Sequence, residues 1–455
     1  MRVFILGICG TFMAGVARLA SELGYRVGGC DANMYPPMST QLQELGVDLF
    51  EGYESAHVVN WKPDLVVIGN AMSRGNPCVE SVLNGNTRFV SGPQWIYEEV
   101  LRDRWAVAVA GTHGKTTTSS LVCWLLEDAG LEPGFLIGGV PENFGVSARL
   151  GNPPFFVIEA DEYDSAFFDK RSKFVHYHPR TLVLNNLEFD HADIFNNLDE
   201  IKKQFHHLVR VVPGDGLILT NQDDANLADV IDLGCWSKLQ SFSITRDADW
   251  TARASTADFS RFDISKHGKL QAGVESPLIG AFNMENTLAA VAAVHHVGVP
   301  VDVACRGVAG FLSVKRRLQL LATIRGISIY DDFAHHPTAI NQTLTALRQS
   351  AADRRIICVL EPRSNTMLLG SHRKTLADSL GKADKAVVLR PPNANWDLSS
   401  IATGGISVSD SVAEILRILV SGARSGDQIV IMSNGSFDNI HEKLIDALSV
   451  TDLNV

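Results

Sequence analysis

The stretch Gly111-Thr-His-Gly-Lys-Thr-Thr117 has the residue types needed to hold a phosphate. Gly111 and Gly114 let the backbone curl closely around an anion. Lys115 adds a point charge, and Thr116 offers a hydroxyl suited to a magnesium ion. Thr112, His113 and Thr117 complete the turn. Such a loop needs a buried strand before it and a helix behind it. Ala106 to Ala110 is a short continuous apolar run, as expected of a strand covered on both faces. Leu121, Val122, Leu125 and Leu126 then recur at helical spacing. The turn therefore sits at a helix N-terminus, where free N–H groups and the dipole favour an anion. The strict phosphate-loop pattern has a glycine where this chain has Val109, so the assignment rests on the strand–loop–helix context.

Two further apolar runs end in chemistry-bearing residues. "FFVIEADEYD" carries Glu159, and "TLVLNNLEFDHAD" carries His191 and Asn186, the latter a candidate for binding substrate. Strand ends of this kind form the edge where α/β sheets bind ligands. Thr116, Glu159 and ATP oxygens make a first magnesium site, since magnesium prefers oxygen ligands. His191 would suit a second metal between substrate and γ-phosphate, or be structural. Asn283 and Asn286 in "GAFNMEN" open a helix, where their amides either read an adenine edge or cap the helix. Further along, Arg317 has the chemistry to stabilise a transferring phosphoryl group across a cleft and Asp332 to hold a ribose, with His335 just beyond the same strand; taken singly, each is equally a residue of a solvated face.

These residues must be positioned by more than one domain. The chain has 455 residues, too many for one ordinary core. Hydrophobic content is 45% and charged content 20%, as in globular proteins. The formal net charge of −11 argues against general nucleic-acid or membrane-surface binding. Seven scattered cysteines without a CxxC pair suggest reduced thiols, hence a cytoplasmic protein. No run of eighteen apolar residues marks a membrane helix. "MRVFILGICGTFMAGVARLA" has some features of a signal peptide, but Gly7, Gly10 and Gly15 interrupt it, and a strand, glycine turn and helix explain it better.

Three α/β segments follow from the pattern. Residues 1–100 read as a doubly wound, Rossmann-like unit, in which Gly10 and Asp31 are candidates for a nucleotide-like ligand. Asp31 ends the second strand, either facing ribose hydroxyls or simply solvated. Residues 101–312 hold the phosphate loop in a mostly parallel sheet, with an antiparallel add-on around "KHGK". Residues 313–455 form a third, Rossmann-like unit whose Arg363, His372, Arg373 and Arg390 are candidates for binding carboxylates. No feature of the sequence sets an oligomeric state.

"GTHGKTTT", "EADEYDSAFF", "NLEFDHADIF", "GAFNMENTLAA", "RRLQ" and "YDDFAHHPT" occur in the order seen in the Mur ligase family, which the whole chain resembles. The family consists of ATP-dependent amide ligases of bacterial cell-wall synthesis. The resemblance implies that Lys115 contacts the β/γ-phosphates, that Thr116 and Glu159 serve a first Mg2+, and that His191 holds a second. It implies adenine at Asn283, γ-phosphate at Arg317, ribose at Asp332, and the UDP part of a nucleotide sugar near Gly10 and Asp31. "NNLEFDHADIF" and "EPRSNTMLLGSHR" are similar to the branch that joins UDP-N-acetylmuramate to a recycled tripeptide, L-alanyl-γ-D-glutamyl-meso-diaminopimelate. The branch that adds L-alanine usually carries a stretch closer to Gln-Pro-His-Arg there. Many members have a carbamylated lysine about fifteen residues after the metal histidine; His206 stands there, with Lys202 and Lys203 nearby, which implies that none operates here. A phosphate-loop ATPase that drives only a conformational change is the competing reading from another class.

Overall fold

The computed structural model describes residues 1–34, 38–190, 192 and 194–450. Three sheets carry the chain. The first has the order β3-β2-β1-β4-β5, from β1 (Arg2–Leu6), β2 (Arg26–Asp31), β3 (Asp48–Glu51), β4 (Leu65–Ile68) and β5 (Arg88–Ser91), all parallel. Strand order reverses beside β1, so the glycine turn that follows β1 opens at a topological switch point. The helix Thr11–Glu22 leaves that turn and ends before Gly24, whose φ of +80° favours a residue without a Cβ.

The second sheet is ten-stranded. Its parallel centre contains β6 (Trp105–Ala110), β7 (Gly134–Leu136), β9 (Phe155–Ala160), β12 (Thr181–Leu184), β13 (Leu217–Asn221) and β14 (Lys238–Ser243). β8 (Ala148–Arg149) closes one edge antiparallel, and β15 (Trp250–Ala254) extends the other in parallel. β16 (Arg261–Lys266) and β17 (Lys269–Glu275) then add the antiparallel ribbon expected around "KHGK". A separate hairpin, β10 (Asp164–Ala166) with β11 (Asp169–Ser172), was not legible as strand because its residues are charged and its strands very short. In β6, alanines 106, 108 and 110 face one apolar cluster and Val107 and Val109 the other. Burial on both faces is why the run lacks a polar alternation.

The third sheet has the order β18-β19-β23-β20-β21-β22, from β18 (Gln319–Ile324), β19 (Ile327–Asp332), β20 (Ile356–Leu360), β21 (Lys385–Leu389), β22 (Ile406–Ser409) and β23 (Gln428–Met432). Only β18 runs antiparallel, joined to β19 by a turn through Arg325 and Gly326. The first and second units share a continuous apolar cluster from Val3 through Leu136 and Ala148 to Val230. At Gly15 the helix backbone approaches Leu136 so closely that an added Cβ would lie 2.3 Å from its Cδ1. No described helix is long and apolar enough to cross a membrane.

Candidate active site

β6 ends at Ala110, and the helix Lys115–Asp128 starts four residues later from Gly114, whose φ is +78°. A Cβ on Gly114 would meet Asn286 Oδ1 at 2.4 Å, so the loop is closed against its own support. That support is a buried amide–hydroxyl network. Thr118 Oγ1 donates to Asn286 Oδ1 (3.1 Å), and Asn185 Nδ2 donates to Thr118 Oγ1 (3.0 Å) and Asn286 Oδ1 (3.3 Å). Asn186 braces the other side: its Oδ1 accepts the His113 N–H (2.7 Å) and its Nδ2 donates to the His113 carbonyl (3.2 Å). The residue expected to bind substrate is thus placed as a strut of the loop.

Lys115 Nζ donates to the Gly111 carbonyl (2.6 Å) and to Glu162 Oε2 (2.9 Å). Burial pushes the Lys115 ammonium down, but Glu162, Asp161 and Glu159 outweigh it and leave it above the ordinary lysine value. The Thr116 hydroxyl donates to Glu159 Oε1 (3.0 Å), while Glu159 Oε2 accepts the Gly138 N–H (2.8 Å). Arg317 reaches in from the third unit, its Nη2 donating to Thr116 Oγ1 (3.1 Å). The hydroxyl and carboxylate of Thr116 and Glu159 are hard oxygen donors beside a phosphate loop, which fits magnesium.

Opposite the loop, Asp332 is buried at the end of β19. Its two oxygens accept N–H groups of Ala334 and Leu318, both at 2.7 Å. Burial pushes its carboxyl up to about 6, against the pull of Arg317 and those two N–H groups. The His335 Nδ1 faces the Phe333 carbonyl at 2.9 Å, and burial holds its imidazole below the ordinary histidine value. Thr112, His113, Lys115, Thr116, Thr117, Glu159, Asn283, Arg317, Asp332 and His335 all line one cavity of about 360 Å³ between the second and third units. Gly114 and Asn286 share that wall.

The capping alternative for the two asparagines fails. The helix Ala281–His296 is capped by Gly280, and both asparagines lie inside it. Asn283 Nδ2 donates to the Ile279 carbonyl (2.9 Å) beside Leu278 and Phe282 on the cavity wall. Asn286 is engaged in the network under the loop and its Nδ2 donates to Asn283 Oδ1 (3.3 Å), so both amides are held by neighbours at the cavity wall.

A clasp joins the second and third units beside the loop. Glu188 Oε2 lies 3.2 Å from His113 Nε2, accepts the Thr338 hydroxyl at 2.7 Å, and is 3.5 Å from His336 Nδ1. Burial pushes the Glu188 carboxyl up, but His113, Thr338 and His336 hold it at about 2. Thr366 Oγ1 reaches Asp190 Oδ1 at 2.9 Å across the same boundary.

A second cavity, of about 300 Å³, lies between the first and second units. Gly7 and Gly10 line it from the glycine turn, and Glu159, Asp161 and Lys173 from the strand ends. Asp31 sits behind the turn, where its Oδ2 accepts the Cys9 N–H (2.9 Å) and its Oδ1 the Asn33 N–H (3.3 Å). It is a brace for the turn and not a simple solvated terminus. Arg363 is exposed, lies against Gly435, and lines neither cavity. His191 falls outside the described residues. Lys202 pairs with Asp229 (2.7 Å), and the His206 ring lies near Trp236, so neither joins the cavities.

Sequence reasoning missed Asp161, Glu162, Lys173, Asn185, Glu188 and His336. The carboxylates and Asn185 stand in the same strand-end runs as Glu159 and Asn186, which was an available signal. Lys173 had none, since it reaches the site only through the β10–β11 hairpin.

The fold and site define a class: a three-unit α/β enzyme with a glycine loop at a helix N-terminus gripped between units and a second cavity beside it. Residues 2–104 match the domain described as "Mur ligase family, catalytic domain", residues 109–294 the "Mur ligase middle domain", and residues 316–435 the "Mur ligase, glutamate ligase domain". The chain belongs to the Mur ligase family. It is 52% identical over 453 residues to the UDP-N-acetylmuramate–L-alanyl-γ-D-glutamyl-meso-2,6-diaminoheptandioate ligase of Escherichia coli, covering 99% of this chain and 98% of that one. The Haemophilus influenzae ligase of the same name is 50% identical, over 98% and 99% of the two chains. The crystal structure of a murein peptide ligase from Psychrobacter arcticus matches with a TM-score of 0.76 at 44% identity, covering 99% of each chain. The UDP-N-acetylmuramate–alanine ligase of Thermotoga maritima shares the fold, with a TM-score of 0.81 at 21% identity over 98% of each chain.

Proposed function

We propose that the protein is an ATP-dependent ligase joining UDP-N-acetylmuramate to the tripeptide L-alanyl-γ-D-glutamyl-meso-diaminopimelate, as in cytoplasmic peptidoglycan recycling. The observation that carries this reading is that Glu159 and Asp161 line both cavities. A triphosphate on the loop and an acid entering past the glycine turn would therefore meet at one wall. The names of the most similar relatives support the choice of sugar and peptide.

The chemistry follows from the poor reactivity of a carboxylate as an acyl donor. Transfer of the γ-phosphoryl group to the lactyl carboxylate of muramate gives an acyl phosphate and ADP. The alanyl amine of the tripeptide attacks that carbonyl, phosphate leaves, and the amine proton passes to solvent or a nearby base. Lys115 from the loop and Arg317 from the third unit oppose the repulsion between the two anions. Magnesium held by Thr116 and Glu159, with His191 serving a second ion, would supply further neutralisation of phosphate charge. The clasp of Glu188, His113 and Thr338 keeps the third unit over the site, which excludes water from a hydrolysable intermediate.

Competition between amine donors tests the reading. With UDP-N-acetylmuramate and ATP supplied, the tripeptide should be ligated in large excess over equimolar L-alanine. Preferential ligation of L-alanine would assign the chain to the other muramate branch. ATP hydrolysis that ignores the nucleotide sugar would favour a conformational ATPase.

A further inference from the structure

The cavity beside the glycine turn poses an electrostatic problem for an acid. Its wall carries two carboxylates, Glu159 and Asp161. Among the described residues of that wall, Lys173 is the one basic side chain. It is 7% exposed, an unusual burial for a lysine. It begins the short turn Lys173–His176 directly after β11, and its backbone N–H is fixed to the Tyr163 carbonyl at 2.8 Å. Its Nζ lies 3.0 Å from Asp161 Oδ2 and 5.3 Å from the ring centroids of both Phe12 and Tyr163. Phe12 belongs to the helix that leaves the glycine turn, so the ammonium sits where the first and second units meet.

We infer that Lys173 receives the lactyl carboxylate of the nucleotide sugar and holds it beside Glu159 and Asp161. This rests on the proposed nucleotide-sugar reading of the cavity. An ammonium has three donors and one is directed to Asp161, which leaves donors for a second carboxylate. Binding one oxygen of the lactyl group leaves the other free to meet the phosphoryl group arriving from the loop. The flanking rings restrict the lysine stem, so the charge is held in place before the acid enters. Lys115 serves the phosphate and Lys173 the acid, one cation on each side of the shared carboxylate wall.

The test compares two nucleotide sugars on the full chain carrying Lys173→Met. UDP-N-acetylglucosamine lacks the lactyl acid that UDP-N-acetylmuramate has. Titration calorimetry should show affinity for UDP-N-acetylmuramate reduced about 10- to 100-fold, the worth of one charge-assisted hydrogen bond, with affinity for UDP-N-acetylglucosamine unchanged. The KM for UDP-N-acetylmuramate should rise while that for ATP stays, and Lys173→Arg should restore most of the loss. Equal weakening of both sugars would assign Lys173 a structural role as the Asp161 counter-ion, and unchanged affinity for both would also overturn the inference. Should the Met variant fail to fold, Lys173→Gln carries the same comparison. If the wild-type protein binds neither sugar, it is the nucleotide-sugar reading that fails.

Discussion

Replacing Lys115 by methionine should cost stability as well as activity, and replacing Glu162 at the same time should return the stability alone. The Lys115 side chain is 12% exposed and that of Glu162 is 2% exposed, with 2.9 Å between the charged atoms. Removing one member of a buried pair costs about 3–5 kcal/mol, because the other charge stays desolvated with less to compensate it. The low end, about 3 kcal/mol, applies here, since Nζ stands at a cavity wall where water can partly replace it. For a unit of this size that is a fall in Tm of roughly 6–12 °C. Lys115→Met with Glu162→Gln removes both charges and should recover most of that loss, while ligation stays absent in both variants. The folded-state value of Lys115 is raised, so its contribution is fully present below the ordinary lysine value and is lost only as pH rises through the higher one. The Tm difference between wild type and Lys115→Met should accordingly be flat from pH 6 to 9. Thermal melts followed by circular dichroism, with a coupled ADP-release assay, measure both quantities. A double variant no more stable than the single one would refute the pair argument, and a folded double variant that still ligates would refute the phosphate-loop assignment.

Arg317→Lys keeps a positive charge but loses the planar fork that reaches Thr116 from the third unit. Its kcat should fall at least about 100-fold with little change in the KM for the nucleotide sugar, as steady-state kinetics would show. Glu188→Ala removes the acceptor that Thr338 and His113 share, so small-angle scattering of the free protein should show a larger radius of gyration. Because the Glu188 carboxyl is held at about 2, its contribution is present above the ordinary glutamate value and is lost as pH falls from about 4.5 toward 2. Wild-type scattering should therefore show expansion as pH falls from about 4.5 toward 2.

Much of this site was legible because its residues are local to strand ends. A strand buried on both faces leaves a continuous apolar signature, and a glycine turn followed by Lys-Thr at a helix start needs no distant partner to be recognised. Thr116, Glu159 and Lys115 follow from that logic, whereas the meeting of Asn283, Arg317, Asp332 and His335 with them on one cavity wall was implied only by the family resemblance, because those residues are far apart in sequence. Roles that depend on a side chain's direction were not legible in the same way. Asn186, Asp31 and Asn286 have the chemistry of ligand-binding residues, yet their polar atoms are engaged by neighbouring loop groups.

The amino-acid pattern by itself determined the three α/β units, the glycine loop at a helix N-terminus and the oxygen-bearing side chains beside it, because each is written in periodicity or in adjacent residue types. Only the tertiary structure decided that Glu159 and Asp161 are shared by two cavities, that Glu188 clasps the third unit, and that Lys173 lines the cavity beside the glycine turn. Those facts arise from segments far apart in sequence brought within hydrogen-bond range, and such distances depend on how the sheets pack rather than on any local run of residues.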